Sequence, residues 1–469
     1  MGLLDLLANA SKAIPTVKKP ERKPSLYERL MWTGIVLVLY LLMANIPLYG
    51  VGAIQGQDPL LIYRVIFAAK RGTLMELGIS PIVTAGLIMQ VLVGSKIVEL
   101  DLTDPEERTK FTAAQKTLIV IFAVFEAAAY TLSGAYGRLP PNIAAVVMLQ
   151  LVIASIIVML FDELLQKGWG LGSGVSLFIL AGVAEQAVWG MFSPAPAIAR
   201  EVNGLYYGVI IELAHGIMSG DIAHVLVRYN VPDLVGLIAT FALMLILIYL
   251  EGMKIEIPVT HQRTRTIKSR VPLKFIYVSN VPVLLASILI GDLSFFSQLL
   301  WYKFGNSPYI SWLAVYNQTE RGLSLVGGLV YYLSPPRGLV SVMREPIRVV
   351  IFAILLTVLA VIFGFMWVEI AGMNPRDQAE QMVRSGLDIP GIRRSTKTLE
   401  RLLAKYIYPL TLLSSLIVAG IAVVADIFGA LGGGMGLLLA VGIIYQYYML
   451  IAYERALEAY PLLRRLIGE

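Results

Sequence analysis

The sequence predicts an all-α polytopic membrane protein, and three observations carry that prediction. Of 469 residues 57% are hydrophobic, only 15% are charged, and the mean hydropathy is +0.73, a balance that a soluble chain of this length could not bury. Ten stretches come close to the roughly 20 apolar residues that a hydrocarbon core about 30 Å thick requires. Finally, the cations are sorted. Of the 38 Lys and Arg, 25 fall in 1–25 and 454–469 and in the loops after the second, fourth, sixth and eighth stretches, against 10 in the opposite loops. With both termini cytosolic, that is the bias expected of a multi-pass protein in the cell membrane.

In order, the expected spans are 26–47, 78–94, 111–133, 142–161, 172–192, 233–250, 275–292, 346–367, 406–426 and 434–453. They divide the chain into a cytosolic arm (1–25), a first half (26–192), an external loop (193–232), a second half (233–453) and a cytosolic tail (454–469). The arm, "MGLLDLLANASKAIPTVKKPERKPS", lacks the charged, apolar, small order of a secretory signal. Leu6 stands where a myristoylation signal would need Ser or Thr. It reads as an arm along the headgroups. "GLGSGVSLFILAG" at the fifth span and "LGGGMGLLLAVG" at the tenth echo one another in spans of opposite direction. Two five-helix halves of inverted topology would produce that echo, with the working path at their interface.

The second span is the anomaly. "GTLMELGISPIVTAGLIMQ" (72–90) is interrupted by Gly78, Pro81 and Gly86. Ahead of it, in "DPLLIYRVIFAAKRG", Asp58 can cap a helix, Pro59 fits its first position and Gly72 can end it. A helix of about 13 residues is too short to span, yet its apolar residues must be buried. Broken backbone at membrane depth is tolerated where protein buries it or where it lines a cavity. The alternative is an external helix lying on the surface.

Composition also excludes chemistry. There is no cysteine, hence no disulfide or thiolate metal site, and no metal or cofactor is expected. Only His215, His224 and His261 are present, without H-E-x-x-H, and no nucleotide-binding Gly-x4-Gly-Lys-Ser/Thr occurs. The chain does not read as an enzyme. Two loops, 251–274 and 368–405, carry six and seven cations. Positive-inside bias explains part of this, and an anionic partner such as ribosomal RNA would explain the rest.

"PIVTAGLIMQVLVGS", "GWGLGSGVSLFI", "RVPLKFIYVSNVPVLLAS" and "DIPGIRR", in this order, resemble the SecY/Sec61-alpha family, the large subunit of the protein-conducting channel, in its archaeal form. The resemblance runs through all ten spans. It implies two inverted halves around a central hourglass pore, closed by a short re-entrant plug at about 58–71 that includes Asp58, Leu61, Tyr63, Val65, Ile66 and Phe67. Motif by motif, it puts an aliphatic pore ring on Ile79, Val83, Val175, Ile179, Leu284 and Leu439. It implies a lateral gate between spans two and three and spans seven and eight, with 193–232 as hinge, and a polar cluster of Thr84, Glu126 and Asp292 across it. Where Asp292 stands the family is expected to hold Asn more often. Two carboxyls there could share a proton or be bridged by Thr84, or Asp292 could end its helix in external water. In the basic loops, Arg263, Arg265, Lys268 and Arg270 would face the ribosome, and Arg393, with Arg394 beside it, a driving partner. The implied partners are small single-span SecE/gamma-type and SecG/beta-type subunits, the ribosome, signal sequences, nascent chains and lipid. From the residues alone an ion-coupled secondary transporter is the other reading, since broken helices and Glu126 or Glu185 would suit proton coupling.

Overall fold

The computed structural model describes residues 3–52, 61–94, 97–98, 100, 104–133, 135–137, 139–196, 206–229, 231–261, 264–305, 307–319, 322–384, 387–388 and 395–459. Its helices are α1 (Leu3–Ala10), α2 (Leu26–Met43), α3 (Leu61–Ile66), α4 (Ser80–Gly94), α5 (Pro105–Ser133), α6 (Pro141–Leu164), α7 (Gly174–Phe192), α8 (Val209–Ser219), α9 (Ala223–Leu226), α10 (Leu234–Gly252), α11 (Val281–Phe304), α12 (Leu329–Leu333), α13 (Gly338–Arg344), α14 (Pro346–Ile370), α15 (Pro375–Arg384), α16 (Thr396–Ile427) and α17 (Gly433–Ala459). Nine are long and apolar enough to cross a membrane, and the short α4 makes the tenth span. Sequence punctuation explains several starts. Ser25 and Glu28 form a reciprocal capping box before α2, Asp233 accepts from Gly236 N at 2.7 Å before α10, and prolines open α6 and α14.

Ten alternating spans put both described ends on one face of the bundle, the termini face. α3 and the start of α4 belong to the other half, on the plug side. The first span of each half runs in opposite directions, α2 toward the plug face and α10 away from it, which is inverted topology. The core of the two halves is one continuous apolar cluster drawn from all ten spans and α3.

Several boundaries differ from expectation. The seventh span is α11, displaced toward the plug face: Pro282 in its first turn marks the start, and it runs twelve residues past Asp292. Asp292 therefore lies inside a helix and does not end one in water. The third and ninth spans extend beyond their apolar windows on the termini face. There α1 lies against α5, where Thr117 Oγ1 donates to Leu7 O at 2.8 Å, and Trp169 Nε1 donates to Lys18 O at 2.8 Å. Lys167 also donates to Val17 O. The N-terminal arm is thus fastened to the bundle along one side, with Leu6 left exposed on the other. The loop 193–232 contains α8 and α9, which the polar breaks around them obscured.

The two basic loops meet. β1 (Lys254–His261) and β2 (Thr264–Lys274) form an antiparallel hairpin, and β5 (Leu387–Asp388) from the second loop adds to β1. Beneath them, Tyr277, Val278, Val368, Ala379, Leu399 and Leu403 form a separate small core. On the plug face, β3 (Val315–Thr319) and β4 (Gly322–Gly327) form a second hairpin.

Candidate functional site

α3 lies inside the bundle, packed against α7, α11 and α17. It ends at Ile66, sooner than the 13-residue expectation, because Ala68 turns to φ +49° and breaks the helical path. Tyr63, Val65, Ile66 and Phe67 are buried. They share the central cluster with Ile79, Ile179 and Leu439, while Val83, Val175 and Leu284 pack against it half-buried. All six aliphatic positions, from the second, fifth, seventh and tenth spans, thus belong to or pack against the same continuous core that holds α3. Val175 and Ile179 share a face of α7. Ile79 instead precedes α4 as its cap, since Val83 N donates to Ile79 O at 3.1 Å. Of the other plug residues, Leu61 opens α3 and Asp58 lies outside the described residues.

The plug is rooted directly in the second span. Ile79 N donates to Phe67 O at 2.8 Å. That approach needs Gly78: its φ is +56°, and a Cβ there would stand 2.1 Å from the same carbonyl. Gly291 on α11 makes room for the Phe67 ring, which a Cβ would meet at 2.6 Å. Tyr40 Oη donates to Ala68 O at 3.1 Å, and Tyr63 Oη to Leu333 O at 3.4 Å.

Beside this root is an ion pair. Arg64 Nη1 lies 2.7 Å from Glu76 Oε1, with the Glu76 side chain wholly buried, and Tyr130 Oη is 3.4 Å from Arg64 Nη2. The second Glu76 oxygen accepts from Gly72 N. Each charge had been visible in the sequence, but twelve residues apart and separated by turns they carried no pairing signal. A small cavity lined by Arg64, Glu76, Ser80, Glu126, Tyr130 and Phe295 separates the pair from the seam.

At that seam, α4 and α5 pack against α11, and α4 against α14. Thr84 Oγ1 donates to Asp292, with its oxygens at 3.1 and 3.0 Å. Glu126 is held instead by Ser80, whose Oγ donates to Oε1 at 3.2 Å. The expected three-residue cluster is two hydroxyl–carboxyl pairs, and Ser80 was missed. Its signal was present in "SP", a hydroxyl residue one position before the proline that opens the helix.

Chemically, the side chains that the resemblance assigns to the ring are all aliphatic, and an aliphatic constriction needs no charged gate. Such a constriction excludes ions by dewetting. Among the described residues no group of three or more His, Asp or Glu is arranged to hold a metal. In the basic loops, Arg265, Lys268 and Arg270 lie on β2, and Arg263, Arg393 and Arg394 lie outside the described residues.

Comparison with known proteins bears on this site directly. A family model described as SecY matches residues 73–448, and one described as the plug domain of Sec61p matches 38–72, the stretch that leads into and through α3. The protein translocase subunit SecY of Aeropyrum pernix is 52% identical, over 100% of this chain and 99% of its own length. A solved structure of a protein conducting channel is 36% identical with a TM-score of 0.81, covering 98% of both chains. Sec61 in the canine ribosome–channel complex from the endoplasmic reticulum is 35% identical, with a TM-score of 0.79 over 98% of both chains.

Proposed function

The chain belongs to the SecY family, a multi-span membrane protein that serves as a subunit of a protein-conducting channel, and on that premise we propose how its residues divide the work. Ile79, Val83, Val175, Ile179, Leu284 and Leu439 form a compliant collar around a passing unfolded polypeptide. Aliphatic side chains suit this because they close on one another when idle and accept any side chain without demanding a hydrogen-bond partner. α3 and its flanking residues are the stopper. The observation that supports this reading is the burial of Tyr63, Val65, Ile66 and Phe67 in the cluster that also holds Ile79, Ile179 and Leu439 and against which Val83, Val175 and Leu284 pack.

Hydrophobic segments leave sideways between α4/α5 and α11/α14. A central Leu or Ile gains roughly 0.3–0.6 kcal/mol on reaching lipid, summed over a segment, so no chemical step is needed at this seam. Thr84, Asp292, Ser80 and Glu126 hold it shut, and the loop 193–232 is the hinge. Family membership favours this channel over the ion-coupled transporter.

The termini face is cytosolic and the membrane is the cell membrane, a reading supported by the 25-to-10 division of cations. The sheet joining the two basic loops, whose second strand carries Arg265, Lys268 and Arg270, is the ribosome-binding element, with Arg263, Arg393 and Arg394 close in sequence. The canine relative's occurrence in a ribosome–channel complex supports that partner. Small SecE/gamma-type and SecG/beta-type subunits complete the channel.

Photocrosslinking a stalled nascent chain tests the assignment. Probes at Ile79, Val175 and Leu284 should each capture the chain, and a probe at the lipid-exposed Leu245 should not. Equal capture at all four positions overturns the ring.

A further inference from the structure

The segment joining α11 to α14 on the plug face is unusually aromatic. Residues 301–332 hold seven of the chain's 29 Trp and Tyr: Trp301, Tyr302, Tyr309, Trp312, Tyr316, Tyr331 and Tyr332. These 32 residues are a fifteenth of the 469, so a quarter of such side chains is a several-fold enrichment.

Part of the enrichment builds a core. Tyr316 on β3 is buried, its hydroxyl 2.8 Å from Ser297 Oγ and 3.4 Å from Ser294 O, and its ring 5.8 Å from Trp301. Those serines stand seven and ten residues before the end of α11 at Phe304. At 1.5 Å per residue the anchor point is about 10–15 Å below the helix end. The hairpin of β3 and β4 is thus folded back along its span and does not project from it.

The rest of the enrichment is exposed. Tyr309 is 86% and Trp312 66% exposed, with Val326 and Tyr332 also open. In sequence the segment is bounded by exposed apolar residues of the two flanking spans, Phe304 at the end of α11 and Ile347 in the first turn of α14. Cations are interleaved with it. Arg348 stacks 3.8 Å from the Tyr331 ring, Arg344 4.3 Å from Tyr229, and Lys303 sits 5.6 Å from Phe304. Trp and Tyr favour the membrane–water boundary, where a ring meets acyl chain and its polar edge meets headgroup or water.

We propose that the 305–345 segment is a lipid-seated anchor, with Trp312 and Tyr309 lying at the headgroup–acyl boundary of the plug-side leaflet. Its partner is phospholipid. The direct chain connection of this exposed aromatic segment to a membrane span at each end, with its hairpin folded back along α11, points there rather than to a soluble protein. The anchor fixes the plug-side end of α11, the helix that carries Asp292 and Leu284, so it braces one wall of the seam. The proposal rests on the reading of α11 and α14 as membrane spans, and its test separates the two.

Because the chain contains no cysteine, one introduced thiol carries a spin label alone. Full-length Trp312→Cys and, separately, Tyr309→Cys (which keeps Trp312) are labelled in phosphatidylcholine–phosphatidylglycerol vesicles. Accessibility to oxygen and to a water-soluble nickel chelate is then read by power saturation. Ile354→Cys on α14 is the lipid reference and Asp221→Cys the aqueous one. The expected oxygen-to-nickel ratio at 309 and 312 is several-fold above that at 221 and below that at 354. A ratio equal to that at 221 overturns the anchor by placing the segment in water. Low accessibility to both reagents overturns it in favour of a protein-covered face. If 354 itself reads as aqueous, the span assignment beneath the anchor fails instead.

Discussion

At the plug root the buried carboxylate of Glu76 faces the guanidinium of Arg64 at 2.7 Å, whereas at the seam the carboxyls of Glu126 and Asp292 are met by the hydroxyls of Ser80 and Thr84. The two sites line or adjoin the same small cavity and share the first turns of the second span. Removing the hydroxyl partner of a buried carboxyl costs about 1–3 kcal/mol, because the acceptor is left unsatisfied. Removing one partner of a buried ion pair costs about 3–5 kcal/mol, because the other charge is stranded. The seam is therefore the softer joint and the plug root the harder one.

The strongest way to break this comparison is Glu76→Ala. It strands Arg64, and an effect of about 3–5 kcal/mol on the closed plug is expected. Planar-bilayer recordings should show an ion leak many-fold above wild type; a correctly assembled variant that stays sealed would show that the pair does not hold the plug. Asp292 sharpens the other side. Asp292→Leu leaves the Thr84 hydroxyl unpaired and should cost about 1–3 kcal/mol, whereas Asp292→Asn retains an acceptor and should cost less than about 1 kcal/mol. Crosslinking of a signal sequence between α4 and α11 reads both, and equal effects from the two variants would remove the hydrogen bond from the account.

The smallest effect concerns a third acid with a partner that can titrate. In the 193–232 loop the wholly buried Glu212 accepts from Tyr206 N at 2.7 Å and lies 2.7 Å from His224 Nε2, with Asp221 and His215 nearby. The hydrogen bond to Glu212, reinforced by Asp221, raises the His224 pKa above the usual 6.5. A raised folded-state value means the pairing stabilises the loop fully below the ordinary histidine pKa and fades as pH climbs through the raised one. Amide exchange in α8 and α9 should therefore quicken over that window, and His224→Gln should flatten the response. A profile unchanged by the substitution would assign the pH dependence elsewhere.

The spans were legible in the sequence because each is an autonomous apolar run, and the cation bias put both ends on one face without any tertiary knowledge. The broken second span was legible too, since Gly78 and Pro81 punctuate it. Where the reading slipped, charge misled it. Asp292 looked like the end of a helix because carboxylates favour water, but α11 continues past it, and the Thr84 hydroxyl donates to that carboxyl from another span. Likewise Arg64 and Glu76 gave no pairing signal, and the turns between them, with left-handed Ala68 and Gly72, bring them together.

Hydropathy and the even count of apolar runs in this chain therefore determined by themselves that it spans a membrane ten times with both ends on one face, and that its second crossing is a stub after a short helix. Those are local properties, set by the transfer energy of each residue between water and lipid. Which hydroxyl serves which acid, how the two basic loops join in one sheet, and how firmly the short helix is moored were decided by the packed structure. Partners separated by 46 or 208 residues, as Ser80–Glu126 and Thr84–Asp292 are, meet only after the helices have chosen their neighbours.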